Sequence, residues 1–303
     1  EFASRHLLVL GGLLAIALIF RVGRAWFGVY GGLGAAAVLG TSVYFITYMH
    51  KFRVYTIAAA AFAATLWFYG QLMDKRRSPR PPDVIGLGAS ATVFVYSNYF
   101  AAMPIFALGL WHLLFARKTR HWWFPVVAAL MALVAFAPQG ITLLRGLAFI
   151  EGKADLLSEP LSPAGIVWSW WYYFSHGQPW LLLLSAAAGG IGLWRMGVSR
   201  QFWLVLWLMV VGFLPIVAAN EVSSAFQPER IRYLIGLWVP GALLVGAGIG
   251  ALWAWRRPAG LVVLGLWVGV GAWATLDDTL MRLDAGDEKP PLAWRETRAI
   301  IDA

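Results

Sequence analysis

The chain has 303 residues, of which 60% are hydrophobic and only 13% charged, with a net charge of +9. Soluble domains carry roughly a quarter charged residues, so this composition excludes an ordinary soluble globular domain and requires most of the surface to face lipid. The basic residues sit in short clusters at the ends of apolar blocks, which excludes a nucleic-acid-binding face, and the absence of cysteine excludes a disulfide framework or a Cys-ligated metal.

Taken in chain order, apolar blocks that read as membrane spans cover 7–20, 25–48, 54–73, 84–97, 99–115, 122–138, 180–194, 202–219, 233–255 and 260–275. The predicted fold is an all-α polytopic transmembrane helical bundle of about ten spans over residues 1–275. The first block reaches full length only if residues 2–6 are added, with Arg5 snorkelling to the headgroups. Residues 84–115 are too long for one ordinary span and are read as two short ones turning at Ser97-Asn98. No internal repeat is apparent. Residues 276–303 are acidic and polar and are predicted to begin an extracytoplasmic soluble domain, and both chain ends read as cut.

Ten spans place Arg21/Arg24, Lys75/Arg76/Arg77/Arg80, Arg117/Lys118/Arg120, Arg195/Arg200 and Arg256/Arg257 on one side, thirteen basic residues accompanied by Asp74 and Asp83 alone. The other side, up to residue 275, has Arg5, Lys51, Arg53, Arg145, Lys153, Arg230 and Arg232 spread over longer loops. The positive-inside rule makes the first side cytoplasmic. On the second side the segment 139–179 carries the aromatic run Trp168-Ser-Trp170-Trp171-Tyr172-Tyr173-Phe174, predicted to be a helix lying at the interface. It serves either as a membrane anchor belt or as the wall of a lipid-substrate groove.

Within the spans His112 is almost alone as an ionisable residue, which argues against an ion-driven transporter. Polar chemistry gathers instead at three outer helix ends. Tyr48-Met-His50-Lys51-Phe-Arg53-Val-Tyr55 places cationic groups and phenols within eight residues. Charge-assisted hydrogen bonds from Lys51 and Arg53 suit a lipid-linked phosphate, although simple headgroup contact accounts for the same residues. Arg232, in Glu229-Arg230-Ile-Arg232-Tyr233, points either into a cavity or out to headgroups. In the turn Ser97-Asn98-Tyr99, the Asn and Tyr either hydrogen-bond a sugar or simply close the turn. No HExxH, Walker or dinucleotide-binding glycine pattern is present in a fitting context, so no metal ligand or cofactor is assigned, while assistance by a divalent metal stays open.

Several of these segments recur in a recognisable order. Glu1-Phe-Ala-Ser-Arg5 before a helix, Phe20-Arg-Val-Gly-Arg24-Ala-Trp-Phe-Gly28 before a second helix ending in Tyr48, and Arg53-Val-Tyr55 opening a third come first. The short pair around Ser97-Asn98-Tyr99-Phe100, Arg232-Tyr233 ahead of a helix with Pro240, and Trp294-Arg295-Glu296 follow. Together they resemble the multispanning glycosyltransferases of the C superfamily. The narrower resemblance is to the bacterial branch related to dolichyl-phosphate-mannose protein mannosyltransferases and the lipid A aminoarabinose transferase. It covers nearly the whole chain and rests on the order of the motifs, each of which is weak alone.

The resemblance implies a multi-pass protein of the bacterial inner membrane that passes a sugar, with inversion, from a polyprenyl-phosphate donor to a lipid, glycan or protein acceptor on the extracytoplasmic face. It implies Arg53, Tyr55, Lys51 and Arg232 at the donor phosphate, with His50, Asn98, Tyr99 and Tyr233 near the sugar or acceptor. The carboxylate base is expected upstream of Glu1, so no catalytic residue is assigned and the fragment alone is expected to be inactive. Lys51 departs from relatives that commonly show an acid two residues before the arginine. The alternatives are a non-enzymatic carrier or flippase for polyprenyl-linked glycans and a structural subunit of a polysaccharide assembly complex.

Overall fold

The computed structural model describes residues 2–50, 54–97, 100, 102–150, 161–223 and 228–277. Eleven α-helices and two 3₁₀ segments account for most of them: α1 (Phe2–Gly40), α2 (Val43–His50), α3 (Tyr55–Met73), α4 (Pro81–Ser97), α5 (Ala102–Phe115), a 3₁₀ turn (Arg120–Trp122), α6 (Trp123–Ile150), α7 (Pro163–Phe174), α8 (Pro179–Met196), α9 (Arg200–Ser223), a 3₁₀ segment (Pro228–Leu237), α10 (Trp238–Trp255) and α11 (Arg257–Asp277). No strand occurs among the described residues. Helices are the expected answer to a solvent that cannot hydrogen-bond the backbone. The helical ends follow local chemistry. Pro81, Pro163 and Pro179 open α4, α7 and α8, and the Ser162 Oγ accepts the Gly165 N–H at 3.1 Å to cap α7.

The first two sequence-predicted spans are the two limbs of α1, the second continued by α2. Gly28 has φ 81° and ψ 176°, and there the chain reverses. Gly23 then faces the Gly32 backbone, Gly40 faces Ile16, and Gly12 faces Met49, which is the pairing of antiparallel limbs. The turn therefore lies at Gly28, several residues beyond the Arg21/Arg24 cluster expected to mark it.

Each of the ten apolar blocks holds a helix. Among the described residues six helical stretches are long and apolar enough to cross a membrane: His6–Gly40, Tyr55–Met73, Arg120–Thr142, Arg200–Ala218, Ile231–Trp255 and Arg257–Leu276. α4 and α5 are shorter, with 17 and 14 residues. The chain is a multi-pass membrane protein. α10 is its axis, with 83% of its most apolar stretch enclosed, against 28% for α11. It packs on α1, α8, α9 and α11. Small residues permit the approach: a Cβ added at Gly246 would lie 2.5 Å from the Gly31 carbonyl oxygen, and Gly189 meets the Cα of Gly248 at 2.9 Å from its own added Cβ. The remaining layer is built by α3 on α1 and α4, α4 on α6, and α5 on α9.

The five basic clusters share one end of this bundle. The Arg21 guanidinium lies 4.3 Å from the Trp67 ring, in the half of α3 that leads to Asp74. The His121 ring hydrogen-bonds the Leu72 carbonyl, Arg200 Nη2 donates to the Phe115 carbonyl at 2.5 Å, and Arg195 lies over Trp255 at 6.0 Å. Tyr30, just past the Gly28 turn, stacks on Trp253 at 3.8 Å and closes the series. The Arg77–Asp83 pair, 3.6 Å apart, braces the same end between α3 and α4.

His112 is a structural strut there. Its Nε2 lies 3.0 Å from the Trp122 carbonyl, which can only accept, so Nε2 carries a proton, and Nδ1 is hydrogen-bonded to the Tyr69 hydroxyl at 3.2 Å. The Trp122 indole N–H donates back to the His112 carbonyl at 3.3 Å. α3, α5 and the 3₁₀ turn ahead of α6 are thus joined through one imidazole hydrogen-bonded at both nitrogens.

Candidate functional site

At the end opposite the basic clusters, the 3₁₀ segment Pro228–Leu237 runs across the mouth of the bundle before α10 begins. Its hydrophobic residues Ile231, Leu234 and Ile235 are buried and hold it against α3, α7 and α10. Arg232 alternates with them and is partly buried. Its Nε is buried with no hydrogen-bond partner, and its guanidinium carbon lies 5.5 Å from the centre of the Tyr233 ring, to whose side chain it is also hydrogen-bonded.

Aromatic rings surround this cation. Tyr55, at the start of α3, lies 6.3 Å from Tyr233 between ring centres, and Tyr48 packs edge-on against Tyr55 at 4.9 Å. Tyr44, one helical turn before Tyr48, is 5.0 Å from it, 4.9 Å from Tyr173 of α7 and stacked on Trp238 at 5.0 Å. Phe100 stacks on the other side of Tyr233 at 5.4 Å. The Trp238 indole N–H donates to the Ser42 hydroxyl at 3.3 Å, fixing the hinge between α1 and α2 beneath the rings. Tyr44, Tyr48 and Tyr55 are each at most 5% exposed. The phenols of Tyr48, Tyr55 and Tyr233 lie within electrostatic range of Arg232.

The arrangement is a cation among rings and phenols, with a buried Nε that has no hydrogen-bond partner. Such a group recognises an anion, and a guanidinium fork matches phosphate oxygens. Neighbouring phenols supply hydroxyl donors and ring faces of the kind that line sugar sites. Among the described residues no three His, Asp or Glu side chains gather as metal ligands.

Of the residues singled out from sequence, Tyr55, Arg232 and Tyr233 meet here. Arg232 is partly buried, with its Nε enclosed beside Tyr233. His50 is the last residue of α2. Lys51, Arg53, Asn98 and Tyr99 lie outside the described residues. The sequence reading assigned no individual site role to Tyr44, Tyr173 and Phe100. The i, i+4 spacing of Tyr44 and Tyr48 was the available signal for the first, whereas Tyr173 lay within a run of six aromatic residues read as either an anchor belt or the wall of a lipid-substrate groove. That run forms α7, whose Ile166, Trp170 and Phe174 face inward while Trp168 is 57% exposed. Trp170 and Phe174 stack at 4.7 Å and both abut Trp238. α7 is therefore a wall of the mouth on one face and exposes Trp168 on another.

Residues 1–141 match the family of dolichyl-phosphate-mannose-protein mannosyltransferases. The fold matches ArnT from Cupriavidus metallidurans, solved bound to undecaprenyl phosphate, with a TM-score of 0.62 at 17% sequence identity over 88% of this chain. The chain resembles the C-superfamily glycosyltransferases. It spans 49% of the ArnT chain, about half its length. No curated protein matches significantly. The likeness in fold to ArnT covers 88% of this chain, whereas the family match ends within α6.

Proposed function

We infer that this chain belongs to the membrane domain of a glycosyltransferase that takes a sugar from a polyprenyl-phosphate-linked donor, with Arg232 holding the donor phosphate. The observation that carries the reading is the Arg232 guanidinium, seated among Tyr48, Tyr55 and Tyr233 with a buried Nε that no protein acceptor satisfies. The family match and the undecaprenyl phosphate bound to ArnT support this choice of anion. The basic end of the bundle is assigned to the cytoplasm by the positive-inside rule, which puts the Arg232 mouth on the extracytoplasmic face.

In this reading a lipid, glycan or protein acceptor attacks the anomeric carbon from the side opposite the phosphate. The carbon–oxygen bond to the donor phosphate breaks with inversion, and the negative charge that develops on the departing phosphate is met by the guanidinium. Lys51 and Arg53, next to Tyr55 in sequence, are proposed as further cations for the same phosphate. His50, Asn98 and Tyr99 are proposed on the sugar or acceptor side, with Tyr233 between the two.

The test is transfer from a polyprenyl-phosphate sugar by the full-length protein carrying Arg232→Gln. Loss of a charged hydrogen bond to a phosphate costs roughly 1.5–3 kcal/mol, so the rate is expected to fall roughly 10- to 150-fold. Arg232→Lys, which keeps the charge and loses the fork, is expected to fall between the two. A wild-type rate in Arg232→Gln overturns the assignment, and donor translocation without sugar transfer in the wild type would favour a carrier.

A further inference from the structure

A second feature lies at the other end of the molecule. α5 and α9 pack side by side, tied by the Trp207 indole N–H, which donates to the Ala107 carbonyl at 2.8 Å. Toward the basic end they part and leave a groove of about 740 Å³. This is within the roughly 300–1,000 Å³ typical of small-ligand sites. Its walls are Trp111, Phe115, Trp203, Leu206 and Trp207, and its single charged residue is Arg200.

The arginine is held in place. Its Nη2 donates to the carbonyl of Phe115 in the last turn of α5, one of the carbonyls a helix end leaves without an intrahelical partner. One of five guanidinium donors is thereby used, and the side chain is otherwise exposed at the groove. Arg117, Lys118 and Arg120 follow α5 directly, and no acidic residue lines the groove. An apolar, aromatic-walled slot that ends in an arginine at the basic end of the bundle is complementary to a molecule with a long hydrocarbon chain and an anionic head.

We propose that the α5/α9 groove binds one acidic glycerophospholipid, an acyl chain lying along the tryptophans and the phosphate on Arg200. Charge decides among the occupants. A second copy of this chain, docked by two-fold symmetry, would set Arg200, Arg117, Lys118 and Arg120 against their own equivalents, a like-charge contact. The ammonium of a zwitterionic lipid meets the same cluster unfavourably. The polyprenyl donor is assigned to Arg232 at the opposite end, so this site does not depend on the sugar-transfer reading.

The experiment uses the full chain, delipidated in a neutral maltoside and offered phosphatidylglycerol or phosphatidylcholine at equal mole fraction, with bound lipid read by native mass spectrometry. The expected result is one retained phosphatidylglycerol per chain, preferred about tenfold over phosphatidylcholine. Arg200→Gln, a change at an exposed side chain that leaves the packed wall intact, is expected to reduce that preference at least fivefold. Leu206→Trp, which fills the groove, is expected to abolish retention of both lipids. Equal retention of the two lipids by the wild type, an unchanged preference in Arg200→Gln, or displacement of phosphatidylglycerol by equimolar undecaprenyl phosphate each overturns the proposal. So does a dimer whose formation excludes the lipid.

Discussion

Gly28 offers a backbone test of the architecture, because nothing but conformation is at stake there. With φ at 81° and ψ at 176° it occupies a region open essentially to glycine alone, and a Cβ added to it meets no atom within 4 Å. Gly28→Ala therefore gains no contact and creates no clash, and it is expected to destabilise by about 1–3 kcal/mol through strain alone. Gly109, in the middle of α5, is equally open but helical, so Gly109→Ala is expected to stabilise by about 0.5–1 kcal/mol. The two alanines differ by about 1.5–4 kcal/mol, on the order of 10- to 1,000-fold in the folded-to-unfolded ratio. Gly28→Asn should fare no better than alanine, since asparagine tolerates the left-handed helical region near ψ +45° and not ψ 176°. The assay is reversible unfolding of the purified protein in mixed dodecyl sulfate and neutral micelles, followed by circular dichroism. A Gly28→Ala protein as stable as the wild type, or shifted in the same direction as Gly109→Ala, would refute the hairpin turn.

Two further outcomes can be measured in the same way. His176, in the turn between α7 and α8, is 1% exposed, has φ 59°, lies 5.2 Å from the Trp267 ring centre and leaves both ring nitrogens without a hydrogen-bond partner. Burial pushes its imidazole down to about 4. The unfolded chain takes up this proton first as pH falls from about 6.5, so the stabilisation is complete above that value and declines by about 3 kcal/mol on approaching pH 4. His176→Phe should remove this part of the acid sensitivity, and an unchanged slope between pH 7 and 4.5 would count against it. Gly246→Val should cost at least about 1–3 kcal/mol, because its Cβ meets the Gly31 oxygen and the Ala35 backbone nitrogen, neither of which can swing away. Gly190→Ala, with no atom within 4 Å, serves as the control and should be close to neutral or stabilising.

Hydrophobic length made the spans readable, since a lipid-facing helix must be apolar over most of its surface whatever it packs against. Basic punctuation did the rest: Arg21, Arg77, Arg120, Arg200 and Arg256 mark segments that the fold gathers at one end. Hairpin geometry at Gly28 was not readable, because glycine is frequent in membrane helices and only its φ distinguishes a turn from a packing position. Arg232 could be named from sequence as a cation at a helix start, but its direction depended on Ile231 and Leu234 anchoring the segment on either side of it. The tyrosines around it come from α2, α3, α7 and the 3₁₀ segment, so no local pattern announces them as one group. His112, conspicuous as an ionisable residue within a span, turned out to be a strut, and its partners Tyr69 and Trp122 are 43 and 10 residues away.

The enclosure of α10 bears on how the protein meets a changing membrane. α6, α9 and α11 leave far more apolar surface uncovered than α10, so variation in bilayer thickness or composition should be absorbed first by tilting of the peripheral helices. The segment carrying Arg232 is continuous with the sheltered axis, and its position is set by protein on nearly every side. Peripheral faces should accept almost any apolar residue across evolution, while α10 should drift only among alanine, glycine and residues of matching shape.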